Sequence, residues 1–328
     1  MQIFDDQLIV VTGGAGFIGS CVIKHLNDKG LKNILVVDEL GFSDKWKNLA
    51  GKKFLEIIDP HDFFDWLEGK QDWIEAFIHL GACSDTTETD ADFLLENNYR
   101  YSVQLAEYAL KHEIRFIYAS SAATYGDGQR GFSDNHDLLE NLHPLNMYGF
   151  SKHLFDLWIK NQGVLDRVVG LKYFNVYGPN EGHKGRMASA ITHLLPQIKK
   201  EGVVKLFKSD DLKHHQNGEQ KRDFMYVKDA AFITCSFLGN DASGIFNIGT
   251  GHASSWNELA KALFMALDKE VKIEYIEMPE DLQGKYQNYT CATVDKLKDV
   301  LGAQFAPVSL SHGVKEYVQE YLLKQRLW

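Results

Sequence analysis

One segment restricts this chain more than any other: Leu8-Ile9-Val10-Val11, followed at once by Thr12-Gly13-Gly14-Ala15-Gly16-Phe17-Ile18-Gly19. Four consecutive branched residues make a strand buried on both faces. The glycines after it form GxGxxG at Gly14, Gly16 and Gly19, and also GxxGxxG at Gly13, Gly16 and Gly19. Glycine there permits a tight turn, a close approach of backbone to a pyrophosphate, and close packing of the next helix on the strand. That helix, running through about Lys29, would aim free N–H groups and its positive dipole end at the phosphates. A second strand, Ile34-Leu35-Val36-Val37, ends in Asp38, nineteen residues after Gly19 and near the usual place of a ribose-binding acid. Asp38 favours NAD, because a carboxylate repels a 2′-phosphate. Lys45, Lys47 and Lys52 follow and could offset that repulsion, so charge alone leaves NAD and NADP open.

The rest of the first half repeats the alternation. Strands are predicted at 54–57, 76–80, 116–119 and 168–173, with helices at 61–69, 91–112 and 148–162. Continuous apolar strands separated by helices give an α/β fold, a Rossmann-type doubly wound parallel sheet covered on both faces. The second half is less regular. It predicts helices at 187–200, 229–238, 256–268 and 311–323, strands at 203–207, 224–227, 244–248 and 272–276, and an exposed loop at 208–220. No linker divides the chain. A dinucleotide-binding domain over 1–173, with a return segment near 222–250, is expected to share one body with a smaller, mixed α/β substrate-binding domain over 174–328. The active site is expected between them.

Bulk properties exclude other classes. A net charge of −10 argues against a general nucleic-acid surface. No apolar run reaches bilayer length, and the acidic start at Met1–Asp6 is unlike a signal peptide, so a cytoplasmic protein is expected. Cys21, Cys83, Cys235 and Cys291 are scattered, which predicts reduced, packed thiols and no metal site. His214-His215 reads as part of a solvated loop.

Tyr148-Gly149-Phe150-Ser151-Lys152 opens a helix, and residues four apart share one face. A neighbouring ammonium favours the phenolate, so Lys152 is expected to lower the Tyr148 pKa and to hold the nicotinamide ribose. Such a tyrosine suits acid/base work on an alcohol as hydride leaves its carbon. Phe116-Ile117-Tyr118-Ala119-Ser120-Ser121 runs to a strand end, where ligands of such sheets lie, so Ser121 or Thr124 could bond a substrate hydroxyl. Leu80, Gly81, Ala82, Cys83 and Ser84 follow another strand and would lie along the cofactor.

In this order, these residues resemble the extended short-chain dehydrogenase/reductase family. The match spans essentially the whole chain: the Gly-rich turn, Asp38, His79-Leu80-Gly81-Ala82, Tyr118 to Gly126, the Tyr148/Lys152 pair and Arg222-Asp223-Phe224. Gly81 to Glu88, Asn175 to Gly185 and Lys285-Tyr286-Gln287 resemble the branch that epimerises a sugar nucleotide at C6 of its heptose. Glu181-Gly182-His183-Lys184-Gly185 is the most specific of these runs. The resemblance implies a tightly bound NADP and an ADP-heptose substrate. It implies conversion of the D-glycero to the L-glycero epimer through a 6-keto intermediate, for bacterial lipopolysaccharide. It also implies a homo-oligomer, a pentamer. Gly13, Gly16, Phe17, Ile18, Gly19, Asp38, Glu39, Lys45 and Asn97 match cofactor-contacting positions, as do Tyr148, Lys152, Val176, Lys184 and the Leu80–Ser84 segment. Asn175, Arg186, His193, Phe207, Lys208, Ser209, Asp210, Arg222 and Tyr286 match the substrate site. Tyr148, Lys152, Ser121 and Lys184 form the catalytic set, with Lys184 the second acid/base for the opposite face of the carbon.

The sequence departs from the pattern in places. Glu39 stands where the family often has Asn, Pro60 near a Lys, Asn180 in place of an Arg, and Arg186 where a small Ser is common. The 208–220 loop is longer than usual. The runner-up is a related 4-epimerase or 4,6-dehydratase, but Ala122-Ala123-Thr124 lacks the acid pair of a dehydratase. A non-catalytic dinucleotide-binding regulator would have no need of Tyr148, Lys152 and Lys184 together.

Overall fold

The computed structural model describes residues 7–278 and 287–328. Its strands, in chain order, begin with β1 (Leu8–Thr12), β2 (Ile34–Val37), β3 (Glu56–Ile58), β4 (Ile74–His79), β5 (Arg115–Ser121) and β6 (Val168–Tyr173). There follow β7 (Asn175–Tyr177), β8 (Val204–Phe207), β9 (Lys221–Arg222), β10 (Phe224–Tyr226), β11 (Gly244–Ile248), β12 (Ser254–Ser255) and β13 (Ile273–Ile276). Seven of them form one parallel sheet, in the order β11-β6-β5-β4-β1-β2-β3. The chain winds outward from β1 in one direction and from β4 in the other. The switch lies between these two strands, where such sheets open a crevice beyond their carboxyl ends. Register aligns that edge: Thr12 pairs with His79, His79 with Tyr118, and Ser121 with Tyr173.

The helices are α1 (Phe17–Asp28), α2 (Phe63–Leu67), α3 (Ala91–Leu94), α4 (Tyr101–Lys111), α5 (Met147–Asn161), α6 (Ala190–Glu201), α7 (Val227–Ser236), α8 (Trp256–Ala266), α9 (Asp295–Leu301) and α10 (Leu310–Glu316). One face of the large sheet packs on α1, α7 and α9, burying Cys21, Ile23, Ala230, Ile233 and Leu297. The other packs on α4 and α5, burying Leu105, Ala109, Phe155 and Ile159. Fully burying one such aliphatic side chain contributes about 1.5–3 kcal/mol, which is why central strands such as β1 and β2 read as unbroken apolar runs. A second core joins α6, α8 and α10 to β8 and β10. No helix among the described residues is long and apolar enough to cross a membrane.

The structure differs from the sequence reading in instructive places. The helix expected over 91–112 is interrupted by a π-helical stretch, Leu95–Arg100, an uncommon form often found at functional sites. The strand expected at 54–57 forms at Glu56–Ile58, and the helix expected at 311–323 gives way to a π-helical turn at Tyr317–Leu322. Strands β7, β9 and β12 were not foreseen, because runs of two or three residues carry no measurable period. The 208–220 loop is exposed at its tip but tied down at its base. There Ser209 N–H donates to Asn217 Oδ1 (3.0 Å), and Asn257 N–H donates to the Gly218 carbonyl (3.0 Å). His214 pairs with Asp211 rather than with His215 (2.8 Å).

Candidate active site

The Gly-rich turn is as tight as its glycines suggested. A Cβ on Gly13 would stand 2.7 Å from the backbone nitrogen of Gly81, and one on Gly19 would stand 2.2 Å from the Gly13 carbonyl oxygen. Any side chain would push the first helix off the first strand. Gly16 N-caps α1 without a side-chain cap, so the first-turn N–H groups of Phe17 and Ile18 stay available to an anion. Asp38 is buried at the end of β2 and is held twice. Ala15 N–H donates to one oxygen (2.8 Å) and the Lys45 ammonium to the other (2.7 Å). Of the three lysines after Asp38, only Lys45 pairs with it. Lys47 pairs with Asp44, and Lys52 turns to the carbonyls of Asn48 and Trp328. Glu39 is exposed, and Pro60 is half-buried at the close of the β3 edge. The donors, the cradle that a Cβ would fill and the buried acid fit a dinucleotide.

Beyond β4 lies a relay with one reading. Gly81 N–H donates to Thr12 Oγ1 (3.0 Å), and Thr12 Oγ1 lies 2.6 Å from His79 Nδ1. His79 Nε2 lies 2.8 Å from Ser102 Oγ, whose hydroxyl donates to the Asn98 carbonyl (2.6 Å). Only a neutral ring protonated on Nε2 satisfies every partner. Burial, helped by the charge of Lys152, pushes His79 down to about 3, so it stays neutral. Asn98, in the π-helical stretch, clasps Cys83: it accepts from the Cys83 N–H and donates to its carbonyl (both 2.9 Å). The same amide donates to Ser151 Oγ (3.1 Å), between Tyr148 and Lys152. Asn97, named from the sequence, donates to Asn98 (2.9 Å). The Leu80–Ser84 segment is thereby fixed against α5.

Asn146 caps α5 by accepting the Gly149 N–H (2.8 Å), which starts the helix one residue before Tyr148. Tyr148 bonds the Ser121 side chain at the end of β5. The expected lowering of its pKa is not found. Burial raises it, the Ser121 hydrogen bond opposes that, and Cys83 adds to the rise. Lys152 is 4% exposed, and burial brings it down to about 8 against the opposing field of Asp156. Thr124 drops out as a substrate contact. It is fully buried, donates to the Ser121 carbonyl (2.8 Å) and accepts from Lys172 (2.6 Å).

That lysine belongs to a buried cluster the sequence reading missed. Lys172 and Asp156 are both 0% exposed and pair at 2.5 Å. Ser120 donates to one Asp156 oxygen (2.7 Å) and Tyr118 to the other (3.0 Å). Asp156 lies four residues after Lys152 and eight after Tyr148, on the same helical face. The spacing was readable. The partner on β6 was not, because a lysine inside a strand reads as an edge residue.

Lys184 comes from a different kind of structure, a 3₁₀ turn at Gly182–Met187 after β7. Buried Glu181 anchors it by accepting from Ser189 N–H (2.6 Å) and Ser189 Oγ (2.7 Å). The Lys184 ammonium stands 5.8 Å from the Phe17 ring centre at the start of α1. Burial lowers its pKa while Glu181 opposes that. Asn48 joins the turn to the Gly-rich loop, donating to the carbonyls of Ala15 (3.0 Å) and Asn180 (3.1 Å). Exposed Arg186, just after one signature run, reaches Asp85 (3.1 Å) and Thr87 in another.

Val176 and Asn175 lie on β7, paired with β10. Arg222, buried on β9, rests 5.7 Å from the Trp256 ring centre, and its NH1 donates to the Lys221 carbonyl (2.8 Å). Its neighbour Asp223 is a structural hub, accepting from Thr250, Gly251 and Ala292. Phe207 ends β8. After it, Lys208 pairs with Glu277, Ser209 is buried, and Asp210 accepts from Asn288 (3.2 Å). His193 is on the exposed face of α6, without a hydrogen bond among the described contacts. Tyr286 lies outside the described residues.

Comparison with known proteins adds four findings. The pattern of the NAD dependent epimerase/dehydratase family matches residues 9–249. The chain is 51% identical over 318 residues to ADP-L-glycero-D-manno-heptose-6-epimerase of Nitratidesulfovibrio vulgaris strain DP4, covering 96% of this chain and 98% of that one. Among solved structures it resembles the Helicobacter pylori ADP-L-glycero-D-manno-heptose-6-epimerase, with a TM-score of 0.80, 31% identity and 96% of each chain covered. It also resembles UDP-glucuronic acid 4-epimerase from Bacillus cereus in complex with UDP-glucuronic acid and NAD, with a TM-score of 0.76, 26% identity and coverage of 98% and 100%.

Proposed function

The chain belongs to the NAD dependent epimerase/dehydratase family, and from that premise we propose that it epimerises C6 of the heptose in ADP-D-glycero-D-manno-heptose. The product is the L-glycero epimer, reached through a 6-keto intermediate. A nicotinamide dinucleotide, when bound, supplies the acceptor and later the donor of hydride. Gly13, Gly16 and Gly19 admit its pyrophosphate to the first turn of α1, and Lys152 holds its nicotinamide ribose.

Tyr148 takes or returns the hydroxyl proton on one face of C6. Its burial keeps the phenol protonated at rest, and Ser121 keeps the oxygen aimed. Lys184 serves the opposite face, since burial moves its ammonium toward a pKa at which it can act as a base. The observation that carries this reading is a shared border. The segment after β4 is tied to the Tyr148 helix through Cys83, Asn98 and Ser151, and the Lys184 turn meets it through Arg186 and Asp85. Arg222 suits the substrate diphosphate, because a guanidinium bonds two oxygens at once.

NADP is the preferred cofactor in this reading. Lys45 neutralises Asp38 and supplies a cation beside the 2′ position. The cytoplasm suits the four free cysteines. A homo-oligomer is supported by exposed Phe93 and Phe150 on adjoining α3 and α5, an apolar pair that a second copy would cover. The test is to incubate the purified protein with either epimer and follow the products by proton NMR. Interconversion without added reductant is expected. Stoichiometric consumption of NADPH would make the protein a reductase.

A further inference from the structure

We propose that Trp328 and Asn180 are positioning residues: together they latch the turn that carries Lys184 onto the Gly-rich turn. The proposal rests on the reading of Lys184 as the second acid/base. Asn180 is the residue that departs from the family's Arg. It is 2% exposed and has φ of +75°, a backbone region that asparagine tolerates better than most residues. Its side-chain amide meets the backbone of Trp328 at two points. Trp328 N–H donates to Oδ1 (2.9 Å), and Nδ2 donates to the Trp328 carbonyl (3.2 Å). This copies a strand bridge across 148 residues of sequence. Nδ2 also donates to Ser20 Oγ on α1 (2.9 Å).

Trp328 is gripped from other sides too. Residues 323–327 are exposed, Gln325 takes φ of +51°, and the chain then turns Trp328 back against the main core. Its ring lies 5.1 Å from the Lys228 ammonium on α7 and 5.8 Å from that of Lys24 on α1. Such cation–π contacts favour the indole over a smaller side chain. Lys52 donates to its carbonyl (2.5 Å) and to that of Asn48 (2.6 Å). Asn48 closes the circuit, because it bonds both Asn180 and Ala15. A residue at the close of the sequence thus fixes the position from which the chain reaches Lys184, four residues beyond Asn180. Glu181 anchors the other side of the turn through Ser189, but among the described residues the turn has no sheet partner, and Arg186 is exposed.

The test uses the full chain with its bound dinucleotide and compares W328A, W328F and N180G. The last keeps the left-handed backbone and removes the amide. Misplacing a reacting group by an ångström costs about a hundred-fold, so W328A and N180G should lower kcat by roughly ten- to a hundred-fold with little change in KM. The loss should fall on oxidation of the epimer that Lys184 serves, read in single turnovers as reduced nicotinamide. Oxidation of the other epimer, which Tyr148 serves, should stay near the wild-type rate. W328F should recover most of the loss.

The Lys184 limb of the pH profile should also move to higher pH in W328A, as looser packing rehydrates the ammonium. Glu181, which caps the turn, His183 within it, and Lys45 and Asp38 near His183 are unchanged by the substitution. Equal losses for both epimers with no pH movement would reduce the pair to a stabilising contact and overturn the proposal. So would unchanged kinetics. If the wild-type protein interconverts no epimers, the functional reading fails, and the latch is then read by hydrogen exchange at 181–187. Faster exchange in W328A and N180G supports it, and unchanged exchange overturns it.

Discussion

Tyr148 rides on a fifteen-residue helix whose buried face is fastened to the sheet by an ion pair, whereas Lys184 rides on a six-residue 3₁₀ turn fastened by amides, hydroxyls, the Glu181 carboxylate and one exposed ion pair. Behind Tyr148, Asp156 and Lys172 satisfy each other and hold Ser120 and Thr124, the neighbours of Ser121. Around Lys184 the restraints are single side chains, Glu181, Asn180 and Asn48, each reaching a different element. A buried ion pair tolerates no partial loss, because the survivor is stranded without water. A set of separate hydrogen bonds fails by degrees, about 0.5–1.5 kcal/mol at a time for the neutral ones. One side of the proposed site is therefore built to be fixed, and the other to be adjusted. A substrate that must turn between two oppositely placed acid/base groups gives a reason for that asymmetry.

The largest effects should come from removing the groups themselves. Tyr148→Phe and Lys184→Met should each slow epimerisation about a hundred- to ten-thousand-fold while the dinucleotide stays bound. Each should keep the half-reaction served by the surviving group, assayed with an aldehyde analogue at C6, and the double variant should lose it. Near-normal epimerisation by Lys184→Met would dissolve the comparison, since a single group would then serve both faces.

Asp156→Asn tests the fixed side. Leaving Lys172 buried without its partner should cost about 3–5 kcal/mol, seen as a lower Tm. It should also change the pH profile. Burial holds Lys152 at about 8, and Asp156 is the influence that raises it. Without that carboxylate the Lys152 pKa falls further and its charge is lost at lower pH, so the alkaline decline in kcat should begin earlier. An unmoved alkaline limb would disconnect the pair from the chemistry.

Smaller effects belong to binding. Arg222→Lys should raise KM roughly ten-fold, the worth of a charged hydrogen bond, and leave cofactor occupancy intact. An unchanged KM would make its charge structural. Lys45→Ala should weaken NADP about five-fold more than NAD, the scale of a partly exposed ion pair. Equal losses by calorimetry would remove Lys45 from cofactor choice.

The comparison also explains what the sequence could tell. The main sheet and Gly-rich turn were legible because β1 and β2 are unbroken apolar runs on either side of the glycines. The Tyr148–Lys152–Ser121 group was legible because a helix start and a strand end place it. Other features depend on partners distant in sequence. Asp156 finds Lys172 sixteen residues away, and Asn180 finds Trp328 only after the chain has wrapped the molecule. The direction of the Tyr148 shift was misjudged for a related reason. Spacing placed Lys152 on its face, but burial, a property of the whole fold, sets the direction of the shift. Strands as short as β9 and β12 are set by pairing with each other and carry no pattern of their own.

The central claim is that hydrogen leaves and returns to one carbon as hydride held within the protein. The most direct measurement is epimerisation in deuterated water, with no added reductant, followed by NMR at C6 of the product. The account predicts complete interconversion with the original hydrogen retained at C6. Deuterium at C6 of the product would contradict it, because the carbon would then have exchanged a proton with solvent.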